Sequence, residues 1–176
     1  MKRGGSPNIE KYHGKNLSKI DVVKAWGRGN FAGEKRVERC SDWIIDSCKF
    51  LEGQTVLECG CGTGIFTSRI VHTKAQILAV DISEDLLAIA KTNVVGSNVN
   101  FLLDDLETLN EVPDSFFEAL YGVSVLHHLD LFIALSALKK KAKEGARFAF
   151  SEPNMGNPIN NYIFCSNNPD VRKNTI

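Results

Sequence analysis

Apolar positions along this chain recur with two different periods. Over residues 33–51, Val37, Cys40, Trp43, Ile44 and Cys48 return every three or four places, which predicts an amphipathic helix ended by Gly53. From Gln54 onward, short apolar runs alternate with longer amphipathic stretches. The runs at 54–60, 75–81, 99–104, 116–123 and 147–152 predict five strands; the stretches at 64–72, 83–95, 106–110 and 131–143 predict helices between them. Ser83, followed by Glu84, Asp85 and the apolar Leu86, has the chemistry of a helix start. Strands and helices in alternation imply right-handed crossovers, and so an α/β domain whose parallel sheet carries helices on both faces. The pattern places this domain at 33–153. Residues 1–32 read as an N-terminal arm, with 1–18 polar and rich in Gly, Asn and Lys, and 154–176 as a polar, Asn-rich tail.

Composition narrows the class without naming it. A chain of 176 residues is one domain by length, and 43% apolar with 24% charged residues is the balance of a soluble globular protein. Twenty-one basic and 21 acidic residues cancel, so nucleic acid is not an expected partner. Lys139, Lys140, Lys141 and Lys143 fall on a predicted helix and read as a solvated face. Five cysteines, Cys40, Cys48, Cys59, Cys61 and Cys165, form no C-x-x-C pair and have no histidine at zinc spacing, so no metal is expected. They read as reduced thiols of a cytoplasmic protein. No apolar run has the length of a membrane span, and no apolar segment follows the basic start.

Three polar groups fall at the carboxyl ends of successive predicted strands. The first strand carries Glu58 into a turn containing Gly60, Gly62 and Gly64; the second ends in Asp81, the third in Asp104 and Asp105. Parallel sheets bind ligands along that edge. Glycines let a main chain approach a ligand closely, and the helix behind them points its amide dipole into the same space. Each feature alone also fits a tight turn, a helix cap or a loop. In order along one edge they describe a nucleoside site. Asp81, seventeen residues past Gly64, is placed for ribose hydroxyls; Asp105 suits an adenine amino group, and the Leu106 amide the ring nitrogen beside it. A dinucleotide turn wants G-x-G-x-x-G, but here the third glycine comes one place early, and Glu58 would repel a pyrophosphate. A cationic ligand suits that carboxylate.

On these residues the chain resembles the class I S-adenosylmethionine-dependent methyltransferases, whose first motif is an acid followed by G-x-G-x-G, as in Glu58-Cys59-Gly60-Cys61-Gly62-Thr63-Gly64. The resemblance spans 54–157 and takes in Asp81, Asp105, the segment Ser124-Val125-Leu126-His127-His128-Leu129, and Ser151-Glu152-Pro153-Asn154. It implies a Rossmann-like sheet of order 3-2-1-4-5 and S-adenosylmethionine as cofactor. The implied binding set is Glu58, Gly60, Cys61, Gly62, Gly64, Asp81, Ile82, Asp105, Leu106 and Ser124, with the methionine end over Gly60 and Gly62. Two departures stand out: Glu144-Gly145-Ala146 where many members have a Pro-Gly-Gly turn, and Glu118 where many have Asp. In the family a helix and an antiparallel strand pair normally follow the fifth strand. Residues 153–176 are too few and too polar for these, so the expected sheet has five strands, lacks the antiparallel pair, and ends in an open edge; either the sequence is a fragment of a longer enzyme, or that edge is covered by the tail itself or by a partner subunit, self-association included. At most, 159–164 forms a short helix.

The implied activity is methyl transfer to an O, N or C atom of a small-molecule acceptor. No covalent nucleophile is required, because displacement at a sulfonium needs alignment and shielding. A hydroxyl acceptor would benefit from a general base, and His127, His128 and Glu152 are the titratable residues nearest that edge. The bland reading has one of the imidazoles packing beneath the cofactor. Trp26 and Phe31 are candidates for a substrate lid or for ordinary packing. Two other functions fit the same pattern: a cofactor-binding subunit without turnover, and a nucleotide-dependent oxidoreductase.

Overall fold

The computed structural model describes residues 31–154 and 156. Most of the predicted arm, Trp26, Cys165 and the segment 159–164 lie outside them. In chain order the elements are α1 (Phe31–Cys48), β1 (Thr55–Cys59), α2 (Thr67–Ile70), β2 (Gln76–Asp81), α3 (Glu84–Asn93), β3 (Val99–Leu103), β4 (Phe117–Val123), α4 (Leu131–Lys141) and β5 (Ala142–Ser151). Short 3-10 turns occupy Val71–Thr73 and Leu126–His128. All strand pairs are parallel, in the order β3-β2-β1-β4-β5. This is the Rossmann-like sheet, and β1 is its centre.

Alternation along β1 builds a core on each face. Val56 packs with Ile44 and Cys48 of α1, Ile70 of α2, and Ala119 and Tyr121 of β4. Its neighbour Leu57 points the other way, into Leu120, Leu109 and the α4 residues Ala137 and Leu138. With both faces covered, a central strand reads as a continuous apolar run rather than an alternation. Ser83 caps α3, its side chain accepting from the Leu86 amide, and Asp130 caps α4 through the amides of Phe132 and Ile133.

Four features depart from the expected outline. Helix α1 stops at Cys48, because Lys49 turns left-handed (φ 48°); Gly53 (φ 79°) serves the next turn instead. Residues 106–110 form turns rather than a helix. There Asp104 accepts from the Asp105 and Glu111 amides and Asp105 from the Glu107 amide, side-chain bonds that compete with a helical ladder. The fifth strand starts at Ala142, not Arg147: Phe117 faces Ala142 and Ala119 faces Arg147, so Glu144-Gly145-Ala146 lies in a bulge with Gly145 at φ 76°. Finally, Lys141 is not on a solvated face. It is buried, its ammonium donating to the Val112 carbonyl at 2.7 Å and to Asp114 at 2.6 Å.

Candidate functional site

The three glycines after β1 all adopt left-handed backbone: Gly60 at φ 68°, Gly62 at 53° and Gly64 at 75°. Their surroundings differ. A Cβ on Gly60 would lie 2.5 Å from Val125 Cγ2, and one on Gly64 would lie 2.8 Å from Val94 Cγ2 and 3.2 Å from Ala90. A Cβ on Gly62 would meet nothing within 4 Å. Gly60 and Gly64 therefore seat the turn against the fold, and Gly62 is the glycine that borders open space. This divides a role that the sequence pattern assigned to Gly60 and Gly62 together. The Cys61 amide donates to Val80 O at 3.0 Å, and Asn93 Nδ2 donates to Thr63 O at 2.9 Å, clamping the turn between β2 and the end of α3.

Asp81 closes the turn from the next strand. It is 7% exposed, and its Oδ2 accepts from the Gly62 amide at 2.7 Å while Oδ1 accepts from Ser83 at 2.9 Å. Ile82, half-buried, follows Asp81. One strand further out, the two aspartates separate by role. Asp104 spends Oδ1 on the Asp105 amide and Oδ2 on the Glu111 amide, whereas Asp105 uses Oδ1 on the Glu107 amide. Among the described residues, Asp105 Oδ2 and the Leu106 amide have no partner. They form an acceptor and a donor one residue apart.

Glu58 lies beneath the turn, 3% exposed, with Thr67 Oγ1 donating to its Oε2 at 2.6 Å. Burial raises its pKa to about 7; the Thr67 hydroxyl and Tyr121 pull it down, and the charge of Asp81 pushes it up. Tyr121 is its register partner on β4. The Tyr121 hydroxyl is close enough to act on the carboxyl, yet stands outside hydrogen-bonding geometry and has no partner among the described residues. Burial, then the charge of Glu58, raises the Cys59 and Cys61 thiols, so both stay protonated and inert. No group of three or more His, Cys, Asp or Glu among the described residues could hold a metal ion.

Beyond β4 the chain turns sharply at Ser124 (φ 55°), whose amide donates to Ser151 O at 2.8 Å. Glu152 then joins the ends of β4 and β5. Its Oε1 accepts from the amides of Val125 and Leu126, each at 3.0 Å, and its Oε2 meets His127 Nδ1 at 2.6 Å. Burial opposes ionisation of Glu152, but His127 and the Leu126 and Val125 amides outweigh it and hold its pKa below the usual range. The His127 and His128 rings lie 4.0 Å apart. The structure thus unites His127 with Glu152 and places Glu58, Gly62 and Asp81 together under the turn. Thr67, Asn93 and Tyr121 were not singled out from the sequence: Thr67 and Asn93 stand beside other polar residues, and Tyr121 lies in a mainly apolar strand, so no local pattern marks them.

The residues fit an adenosyl cofactor with a cationic tail: open space at Gly62, the Asp81 carboxylate bonded beside it, and, among the described residues, an unpaired acceptor and donor at Asp105 and Leu106. Residues 57–150, more than half of the chain, match the family model described as a methyltransferase domain. The chain belongs to this family, within the class I S-adenosylmethionine-dependent methyltransferase superfamily. An uncharacterized methyltransferase of Mycobacterium tuberculosis is 32% identical over 122 residues, 67% of this chain and 61% of the relative. A malonyl-[acyl-carrier protein] O-methyltransferase of Bacillus cytotoxicus is 36% identical over 88 residues, 48% of this chain and 30% of that protein. The chain therefore spans under two thirds of these relatives. Among solved structures, the magnesium protoporphyrin IX methyltransferase of Synechocystis, with bound S-adenosylhomocysteine, superposes with a TM-score of 0.61 at 18% identity, covering 77% of this chain and 68% of that one. The [4+2]-cyclase SpnF reaches 0.73 at 19% identity, covering 86% and 61%. At such identities these two likenesses concern the fold alone.

Proposed function

We propose that this chain binds S-adenosylmethionine and transfers its methyl group to a small-molecule acceptor. The observation that carries the reading is the left-handed Gly62, open toward the carboxyl edge of the sheet and tied at 2.7 Å to the Asp81 carboxylate of the next strand. Asp81 takes the ribose hydroxyls. Asp105 Oδ2 and the Leu106 amide take the adenine edge, and Ile82 lies beside it. Glu58 and the turn from Gly60 through Cys61 to Gly64 hold the methionyl end, which Ser124 approaches from β4. The bound cofactor supplies an electrophilic methyl group on a sulfonium; the protein's part is to align the acceptor and exclude water. His127, oriented through Nδ1 by Glu152, serves as general base through Nε2 for an acceptor that loses a proton, and the His128 ring lies tilted against it at 41°.

Titration calorimetry with S-adenosylhomocysteine and with NAD tests the cofactor. Binding of the first and not the second is expected, and the reverse would replace this reading with hydride transfer. A screen of phenolic, amine and carboxylate acceptors with methyl-labelled cofactor then identifies the acceptor atom. For association, we propose self-pairing through β5, which among the described residues pairs only with β4 and exposes Phe148.

A further inference from the structure

The pair Glu58 and Tyr121 has features that holding a cofactor in place does not explain. Glu58 is enclosed by β1, β2, β4, α2 and the glycine turn. Among the described residues, the titratable and charged groups acting on it are Asp81, Tyr121, Cys59 and Cys61, and none of these is a cation. Thr67 Oγ1 donates to it at 2.6 Å. Its register partner, Tyr121, is 0% exposed and carries the one buried side-chain polar atom without a partner among the described residues. A buried hydroxyl left unpaired costs about 1 to 3 kcal/mol, and such groups call for a reason. An ionised Glu58 would supply that reason, since a carboxylate accepts from a hydroxyl through a charge-assisted bond roughly twice as strong as one to a neutral acid.

We propose that Glu58 keeps its proton in the empty protein and releases it when the cationic methionyl end of the cofactor arrives, and that Tyr121 is the positioning residue whose hydroxyl then donates to the new carboxylate. The inference rests on the cofactor reading above. In the step, the Glu58 O–H bond breaks, its electron pair stays on oxygen and the proton passes to solvent; nothing is oxidised or reduced. Burial places the Glu58 pKa at about 7, and a cation beside it lowers that value. Burial, followed by the charge of Glu58, raises the Tyr121 phenol well above its usual range, so it remains a donor throughout. The loaded protein therefore binds fewer protons than the empty one below about pH 7, and cofactor affinity rises with pH, by at most about tenfold per unit, before levelling above it.

Carbon-13 NMR of Glu58 in the empty protein reads the first half directly. A midpoint near 7 is expected, moving up by about half a unit to one unit in Tyr121→Phe. Calorimetry near pH 6 in two buffers of different ionisation enthalpy reads the second half. S-adenosylmethionine should release close to one proton, methylthioadenosine, which lacks the amino acid, none, and Glu58→Gln should abolish the release. Tyr121→Phe removes only an unpaired hydroxyl, so it should melt no lower than the parent while its pH profile shifts. An empty-state midpoint below about 5, or a Tyr121→Phe variant whose titration and proton release match the parent, would overturn the proposal. If neither S-adenosylmethionine nor S-adenosylhomocysteine binds, the cofactor reading fails, and the NMR midpoints still decide whether Glu58 and Tyr121 are coupled.

Discussion

At the scale of single residues, the three glycines make different predictions although the sequence presents them as one repeat. Gly60→Ala sets a methyl group 2.5 Å from Val125 on a left-handed backbone, so strain of about 1 kcal/mol adds to overpacking of about 1 to 3 kcal/mol. Thermal melting of the empty variant should show that loss. Gly62→Ala meets no neighbour, so its fold should lose only about 1 kcal/mol while cofactor binding weakens. Equal melting losses would mean that Gly62 is seated as tightly as Gly60. Asp104 and Asp105 divide in the same way. Asp104→Ala leaves two amides unpaired and should cost about 1 to 3 kcal/mol of stability, whereas Asp105→Ala leaves only the Glu107 amide unpaired, should cost about half as much, and should reduce affinity for S-adenosylhomocysteine. If Asp104→Ala lost more affinity than Asp105→Ala, the adenine assignment would be reversed. On the proposed ribose assignment, Asp81→Ala would remove a charge-assisted bond and should weaken binding by about 1.5 to 3 kcal/mol by calorimetry. The identity of Glu58, Gly62, Asp81 and Asp105 as candidates was legible because polar residues at successive strand ends stand out from apolar runs. Tyr121 was not, because a tyrosine within a strand looks like ordinary core until its hydroxyl proves unpaired.

At the scale of elements, β1 carries opposite pH dependences to the β4–β5 junction. Glu58 in the folded protein titrates at about 7 against an ordinary 4.5. Through that window the unfolded chain binds fewer protons than the folded one, so the Glu58 contribution lowers stability as pH rises from about 4.5 to about 7. Chemical denaturation of the empty protein at a series of pH values should show this fall, and Glu58→Gln should remove it. Glu152 works the other way: its folded pKa is lowered, so the stability it lends is present above the ordinary glutamate range and is lost as pH falls through its folded value. Glu152→Gln should therefore weaken the acid dependence at the junction. Element boundaries were the least legible part of the chain. The helix expected at 106–110 gave way to aspartate side chains bonding their own backbone, and the early start of β5 depends on Gly145 entering a bulge, neither of which periodicity reports.

At the scale of the whole molecule, the sheet formed by the described residues has one edge at β3 and the other at β5. Strand β5 runs for ten residues against five in β3, and both expose a large apolar side chain, Phe148 and Leu103, so its length makes β5 the stronger candidate for pairing with a second chain. Sedimentation velocity at rising concentration should show reversible association, and Phe148→Lys, which adds a charge to the edge, should suppress it. A concentration-independent monomer would remove the edge as an interface.

Strand-helix alternation, the parallel sheet and the line of acids along its carboxyl edge were determined by the sequence alone, because periodicity and strand-end chemistry are local properties. Which glycine faces open space, which aspartate keeps a lone oxygen, and whether Lys141 is solvated depend on neighbours distant in the chain: Val125 against Gly60, Glu111 against Asp104, Val112 and Asp114 against Lys141. The coupling of Glu58 to Tyr121 is of the same kind. Sixty-three positions separate them in the chain, and only the pairing of β1 with β4 brings a buried acid and a buried hydroxyl side by side, where desolvation gives their protons a role.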